Sequence, residues 1–250
     1  MSLPHSRLSS DIPLGGVMRA AILAGLLAGL VAAAFHFVWT EPVIERAIAL
    51  ESLRQQAQAT VEEPMVSRGA QQVGLFVGFL VYGLTWSLLF GATFHLVQRW
   101  LPASWDPRRR GLLLALLGYW SVALVPFVKY PANPPGVGDP DTIALRQALY
   151  LGLLALSVAG TAAVVAVARV VGRGWWPGAV CLLLVAVFLN VALPGNPDPV
   201  SMPDTIVTPF RWLSLAGLSV FWAVLGLSFG LLLPTERPLR LPSRPRVAGA

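Results

Sequence analysis

Six stretches of the chain carry no charged side chain and are long enough to cross a bilayer: residues 20–40, 69–98, 111–128, 147–168, 174–197 and 212–235. A hydrocarbon core needs about 20 apolar residues in helical form, with a lower limit near 17. Backbone crossing lipid has no water to bond, so each run must satisfy its own N–H and C=O groups as a helix. The composition agrees. Of 250 residues, 56% are hydrophobic and 12% charged, whereas soluble domains carry about 25% charge. That is too little to cover a water-facing surface, which excludes a soluble enzyme. The +6 net charge is spread thinly, its densest run being Arg108–Arg110, which excludes nucleic-acid binding. One cysteine, Cys181, excludes an intramolecular disulfide framework and a cage of cysteines alone.

The expected fold is therefore all-α, one polytopic bundle with spans at about 17–40, 72–98, 111–128, 147–168, 174–194 and 212–234. The third is the shortest. Alternate hydrophilic segments set the orientation. The N-terminus, the second and fourth loops and the C-terminus together hold twelve basic and three acidic residues; the three other loops hold six basic and nine acidic. Basic residues stay on the cytoplasmic side, so both termini are predicted cytoplasmic, and loops one, three and five face outward. Arg7, the first apolar run and Ala32–Ala34 also mimic a cleaved signal peptide, but the run is long for that role. Residues 236–250, with Pro238, Pro242 and Pro245, read as a disordered basic tail at anionic headgroups.

The third and fifth loops repeat without gaps at an offset of 63 residues: Pro131, Asn133, Pro134, Val137, Pro140, Asp141, Thr142 and Ile143 recur as Pro194, Asn196, Pro197, Val200, Pro203, Asp204, Thr205 and Ile206. The repeat predicts two hairpins of like orientation, third with fourth span and fifth with sixth. Gly25/Gly29, Gly74/Gly78 and Gly226/Gly230 have the spacing that lets helices approach closely. They serve packing within the chain or between copies in a homo-oligomer.

Histidine is scarce: His5, His36 and His95. His36 falls near the outer end of the first span and His95 near the inner end of the second, too far apart to share an ion across a core of about 30 Å. His36 and Thr40 share a helix face at i,i+4 spacing. Glu41 and Glu45 follow, with Pro42 between. Residues 42–58 then alternate apolar with charged side chains and predict an amphipathic helix on the outer membrane face. Its acids form either a vestibule that collects cations or a solvated lid favoured by the helix dipole. His36, Glu41 and Glu45 are the candidate metal ligands at the outer mouth.

The repeated loops supply gate candidates: Lys129, Asn133, Asp139, Asp141, Asn196, Asp198 and Asp204. Asp141 and Asp204 each precede Thr-Ile at a span start, where a carboxylate caps free N–H groups; paired loops can also present oxygens to a divalent ion. Asn133 and Asn196 are equally turn residues beside proline. Lys129 either snorkels or pairs with an outer acid. No motif of a soluble enzyme and no nucleotide-binding loop is present, so no catalytic residue and no tightly bound cofactor is expected.

Three stretches resemble the CbtA family: Ala24–Leu30 continuing through His36-Phe37 and Thr40–Glu51; Val66–Gly69; and above all Val125–Pro140, an unusual string reading VPFVKYPANPPGVGDP. Arg211–Ala216 and Trp222–Leu227 extend the likeness, which covers about residues 17–233. The resemblance implies a probable cobalt transporter subunit of the bacterial inner membrane, linked to cobalamin synthesis, with Co²⁺ as transported ion. It also implies a partner, CbtB, a small single-span protein whose histidine-rich end would supply the nitrogen ligands scarce here. The family is described with five spans, one fewer than the charge map gives. A membrane scaffold, or an intramembrane enzyme acting on a lipid-borne group, is the alternative reading.

Overall fold

The computed structural model describes residues 12–57, 66–101, 105–172 and 175–234; His5, Arg7 and the basic tail lie outside them. The described residues form helices and connecting turns. Helix α1 (Leu14–Phe35) passes through a π-helical turn, His36–Thr40, into α2 (Glu41–Ala57). Helix α3 (Arg68–Val97) ends in a 3₁₀ turn. Helix α4 (Pro107–Gly118) passes through a second π turn, Tyr119–Leu124, into α5 (Val125–Lys129). Helices α6 (Ile143–Val171), α7 (Trp175–Ala192) and α8 (Asp204–Leu232) complete the chain. Six of these helical stretches are long and apolar enough to cross a membrane, the third included, at 23 residues from Pro107 to Lys129. At 1.5 Å per residue that is about 35 Å, enough to span.

Charge-free runs locate the spans but not their ends, because a charged side chain does not stop a helix. α8 starts at Asp204 and carries Arg211 in its third turn; α6 carries Arg146 in its first. Ends come instead from caps. Ser67 accepts from the Ala70 N–H ahead of α3, Asp106 accepts from the Arg109 N–H ahead of α4, and Gly172 closes α6 in the left-handed conformation at φ 65°.

Small residues bring the central helices together. A methyl at Gly25 would meet Ser87 and the Gly83 carbonyl; one at Gly29 would meet the Phe79 carbonyl, so α1 and α3 touch backbone to backbone. Gly226 and Gly230 likewise let α8 approach Ala115 and the Arg108 backbone of α4. Gly74 and Gly78 face open space. Phe90 and Phe94 of α3 then pack edge-on against Phe229 of α8, ring centres 4.9 and 5.0 Å apart. The result is a block of α1, α3, α4 and α8 around one core. A second core joins Val125, Leu153, Ala186 and Leu189 of α5, α6 and α7. A third seats Val43 and Ala47 of α2 on Met202, Ile206 and Val207. Much of the apolar surface of α6 and α7 points outward, including Val167, Phe188 and Val191.

Residues 41–57 are helical, but they continue α1 instead of starting afresh at Pro42. Inside an α-helix a proline lacks its N–H and its ring strikes the carbonyl four residues back. Here the Glu41 N–H reaches five residues back to the His36 carbonyl, and that wider turn gives the ring room. The second π turn repeats the device ahead of Pro126, with the Val125 N–H on the Trp120 carbonyl.

Candidate functional site

His36 opens the first π turn. Its Nδ1 lies 2.8 Å from Thr40 Oγ1, as the i,i+4 spacing implied, and its ring stacks on Phe79 at 4.9 Å and 18°. The far edge of the imidazole, at Nε2, lies against Gly217 of α8, where any Cβ would collide with it. One ring thus sits at the junction of three helices.

Beside it opens a cavity of about 580 Å³, within the range of small-ligand sites. Its walls come from both sides of the molecule: His36 from the first π turn, Gly78 and Tyr82 from α3, Gly217 from α8, Phe127 from α5 and Tyr150 from α6. The lining is mostly apolar and aromatic. Ser214, Tyr82, Tyr130 and Tyr150 supply hydroxyls and His36 an imidazole; among the described residues no carboxylate lines it. Such walls offer too few polar groups to hold a dehydrated divalent cation by themselves, because stripping it of water requires several charged or strongly polar ligands in its place.

The candidate ligands do not converge. Glu41 is buried and ion-paired at 2.5 Å with Arg68, and the same oxygen accepts from Gln72 at 3.3 Å. Glu45 is exposed on α2. Among the described residues, no three histidine, cysteine or acidic side chains are grouped to hold a metal.

The third and fifth loops do converge, upon Asp198. Its Oδ2 accepts from Thr142 Oγ1 at 2.8 Å and from the Asp139 N–H at 3.0 Å, and lies 3.1 Å from Arg146 Nε. The Thr142 hydroxyl, the Asp139 amide and the Arg146 guanidinium favour the carboxylate and hold it below the usual aspartate range, against the opposing effect of burial. Arg146 Nη2 also donates to the Asp139 carbonyl, and Asn196 accepts from the Asp198 N–H. The two repeated loops are therefore tied to each other, with unlike local roles. Asn133 accepts from Arg211 of α8 at 2.8 Å, whereas its counterpart Asn196 closes a turn within its own loop.

Two expectations about these loops need correction. Capping before α6 falls to Asp139, which accepts from the Asp141 N–H. Before α8 the cap position is Pro203, so Asp204 becomes the first helical residue and acts through the dipole alone. In the third loop Pro140 itself opens the helical turn, one residue ahead of Asp141; in the fifth loop Pro203 stays extended as the cap. Among the described residues Lys129 pairs with no acid: its Nζ donates to the Asn190 carbonyl at the end of α7, 2.7 Å away. The unsatisfied carbonyls of a helix C-terminus are themselves a good seat for an ammonium.

Arg68, Arg146, Arg211, Tyr82, Tyr150 and Gly217 were not singled out from sequence. The three arginines had a signal: each is a basic residue on the acid-rich side, where a cation needs a local reason to stay. The others had none, because helix spacing alone does not say which face meets a cavity.

Residues 16–234 match the family model CbtA, described as probable cobalt transporter subunit. No curated protein and no solved structure matches the chain.

Proposed function

The chain belongs to the CbtA family of probable cobalt transporter subunits, and from that premise we propose that it forms the membrane path of a Co²⁺ uptake system in the bacterial inner membrane, supplying cobalamin synthesis. The observation that carries the reading is the cavity beside His36, walled by five helical segments in a multi-pass bundle. Co²⁺ accepts imidazole and carboxylate ligands. His36 is the proposed nitrogen contact along the path. Glu45, exposed near the start of α2, supplies negative charge at its outer mouth, and Glu41 would do so on release from Arg68. Asp139, Asp141, Asp198 and Asp204, with Asn133, Asn196 and Lys129, form the proposed outer gate. The lone imidazole on the cavity wall favours a partner that brings further nitrogen ligands, as a small histidine-rich CbtB-like span would. The family membership does not favour the alternative of a scaffold or lipid-acting enzyme.

The test is uptake of radioactive cobalt by cells expressing the chain with and without that partner. Uptake is expected only with both, and His36→Ala is expected to lower it by roughly tenfold or more, the scale on which groups supporting a metal site act. Undiminished uptake in a His36→Ala/Glu41→Gln double mutant would remove these residues from the path. Absence of cobalt uptake in the intact pair would remove the function.

A further inference from the structure

We infer that α6 and α7 form an arm that swings on the π turn Tyr119–Leu124, opening and closing the cavity against the α1–α3–α4–α8 block. Its role as a gate rests on the transport reading; the motion itself does not.

Packing divides the described residues into two units on either side of the cavity. The block has its own core, with Phe90, Phe94, Leu225 and Phe229 at its centre. The arm has another, in Leu153, Ala186 and Leu189, and its outer end is closed by Arg146, Thr142 and the Asp139 amide on Asp198. The principal packing partners of α6 are α7, the π turn, α5 and the short turn before it. The cavity takes up the remaining space, with Tyr150 of α6 on one wall and His36, Gly78 and Gly217 on the others.

One element belongs to both units. Ala115 and Ala123 of the third span lie in the core of the block, whereas Trp120 and Val125 pack in the core of the arm. The handover falls inside the π turn. There the Val125 N–H reaches back to Trp120, and Pro126 has no N–H to offer the Val122 carbonyl. A helix that changes hydrogen-bond register and lacks a bond at the same place is its own weakest point in bending, and single π turns recur at functional sites.

At the outer end, a side-chain hydrogen bond links the units: Arg211 of α8 donates to Asn133, in the linker between α5 and α6, at 2.8 Å. Lys129 on the Asn190 carbonyl and Tyr130 on the Pro194 carbonyl bind α5 to the arm instead. α5 therefore travels with the arm, and the Arg211–Asn133 bond, together with Val137 of the same linker packed on the α2–α8 cluster, is the strap that limits it.

The test uses the full chain in lipid nanodiscs, with the exposed Cys181 replaced by serine. Spin labels go at Val170 of α6 and Leu231 of α8, both highly exposed at the same end of the bundle, with Leu96 and Leu231 as a control pair inside the block. The Val170–Leu231 distances are expected to split into two populations while the control pair gives one. Arg211→Gln is expected to shift weight toward the longer distance. Pro126→Ala, which lets the turn close to a regular helix, is expected to collapse the pair to one population. A single narrow Val170–Leu231 distance, unmoved by either substitution, overturns the hinge even if the protein takes up cobalt. Two populations in a chain inactive in cobalt uptake with its partner leave the hinge standing and overturn the transport reading.

Discussion

The imidazole of His36 sits in a slot that three residues shape, and each makes a different demand. Thr40 holds Nδ1, Phe79 holds the ring plane, and Gly217 leaves the space at Nε2. Gly217→Ala is therefore expected to push the ring off both other partners. Overpacking of this kind costs about 1–3 kcal/mol, and the displaced imidazole is expected to cost cobalt uptake as well. Gly78→Ala is the matched control. It lies in a helix facing open space, where alanine is better than glycine by up to about 1 kcal/mol, so its melting temperature should hold or rise. Thermal unfolding of both variants in one detergent decides this; equal melting temperatures would refute the slot. The His36–Thr40 contact was legible in sequence because i,i+4 residues on one helix must be neighbours. Gly217 was not, since its contact depends on how α8 docks. Glu41 was legible as an acid just past the first span, yet its pairing with Arg68 depends on a helix that begins beyond the next loop.

At the scale of elements, the third and fifth loops are held together by side-chain contacts to Asp198, and that makes them sensitive to acid. The native carboxyl is held below its ordinary range by Thr142, Asp139 and Arg146. A group with a lowered native pKa binds fewer protons folded than unfolded near that range. Its stabilisation is complete above the unfolded value, about 3.9 for aspartate, and is lost as pH falls through the native value. Hydrogen exchange in residues 139–146 should therefore be slow and flat with pH, after correction for intrinsic rates, down to about 4, and rise only in stronger acid. Asp198→Asn should abolish the dependence and show fast exchange throughout; a wild-type step near neutrality would contradict this account. The two π turns teach a different lesson about elements. Pro42 follows a long apolar run and reads as the start of a new helix, whereas Pro126 lies inside the third apolar run and carries no such reading. In both places the chain instead widens the turn ahead of the proline and continues. Sequence spacing assumes the 3.6-residue period and so cannot register this choice.

For the whole molecule, the six spans were legible because lipid forces a length and an apolar composition on every crossing. Their partnership was not. The repeated loops predict two hairpins of like orientation and say nothing of which spans pack most closely; the packing sets α6 chiefly on α7 and α4 on α8. Side-chain volume and small-residue faces decide neighbours inside a bilayer, where apolar pattern no longer discriminates between them. Orientation follows from charge, and it fixes what the cavity and the Asp198 network can do. The arginine-rich ends around Arg108–Arg110 are expected in the cytoplasm, because basic residues near short spans resist export. The acid-bearing loops are then outside, where a divalent cation would first meet them. Two single-cysteine chains lacking Cys181 separate the alternatives. Pro135 is exposed in the third loop, and Arg109, with its side chain 71% exposed, lies at the opposite end of the third span. An impermeant maleimide should label Pro135→Cys in intact cells and Arg109→Cys only after lysis. The reverse pattern would turn the bundle over: the arm would gate a cytoplasmic mouth, Glu41 and Glu45 would face the cell interior, and the same cavity would serve export instead of uptake.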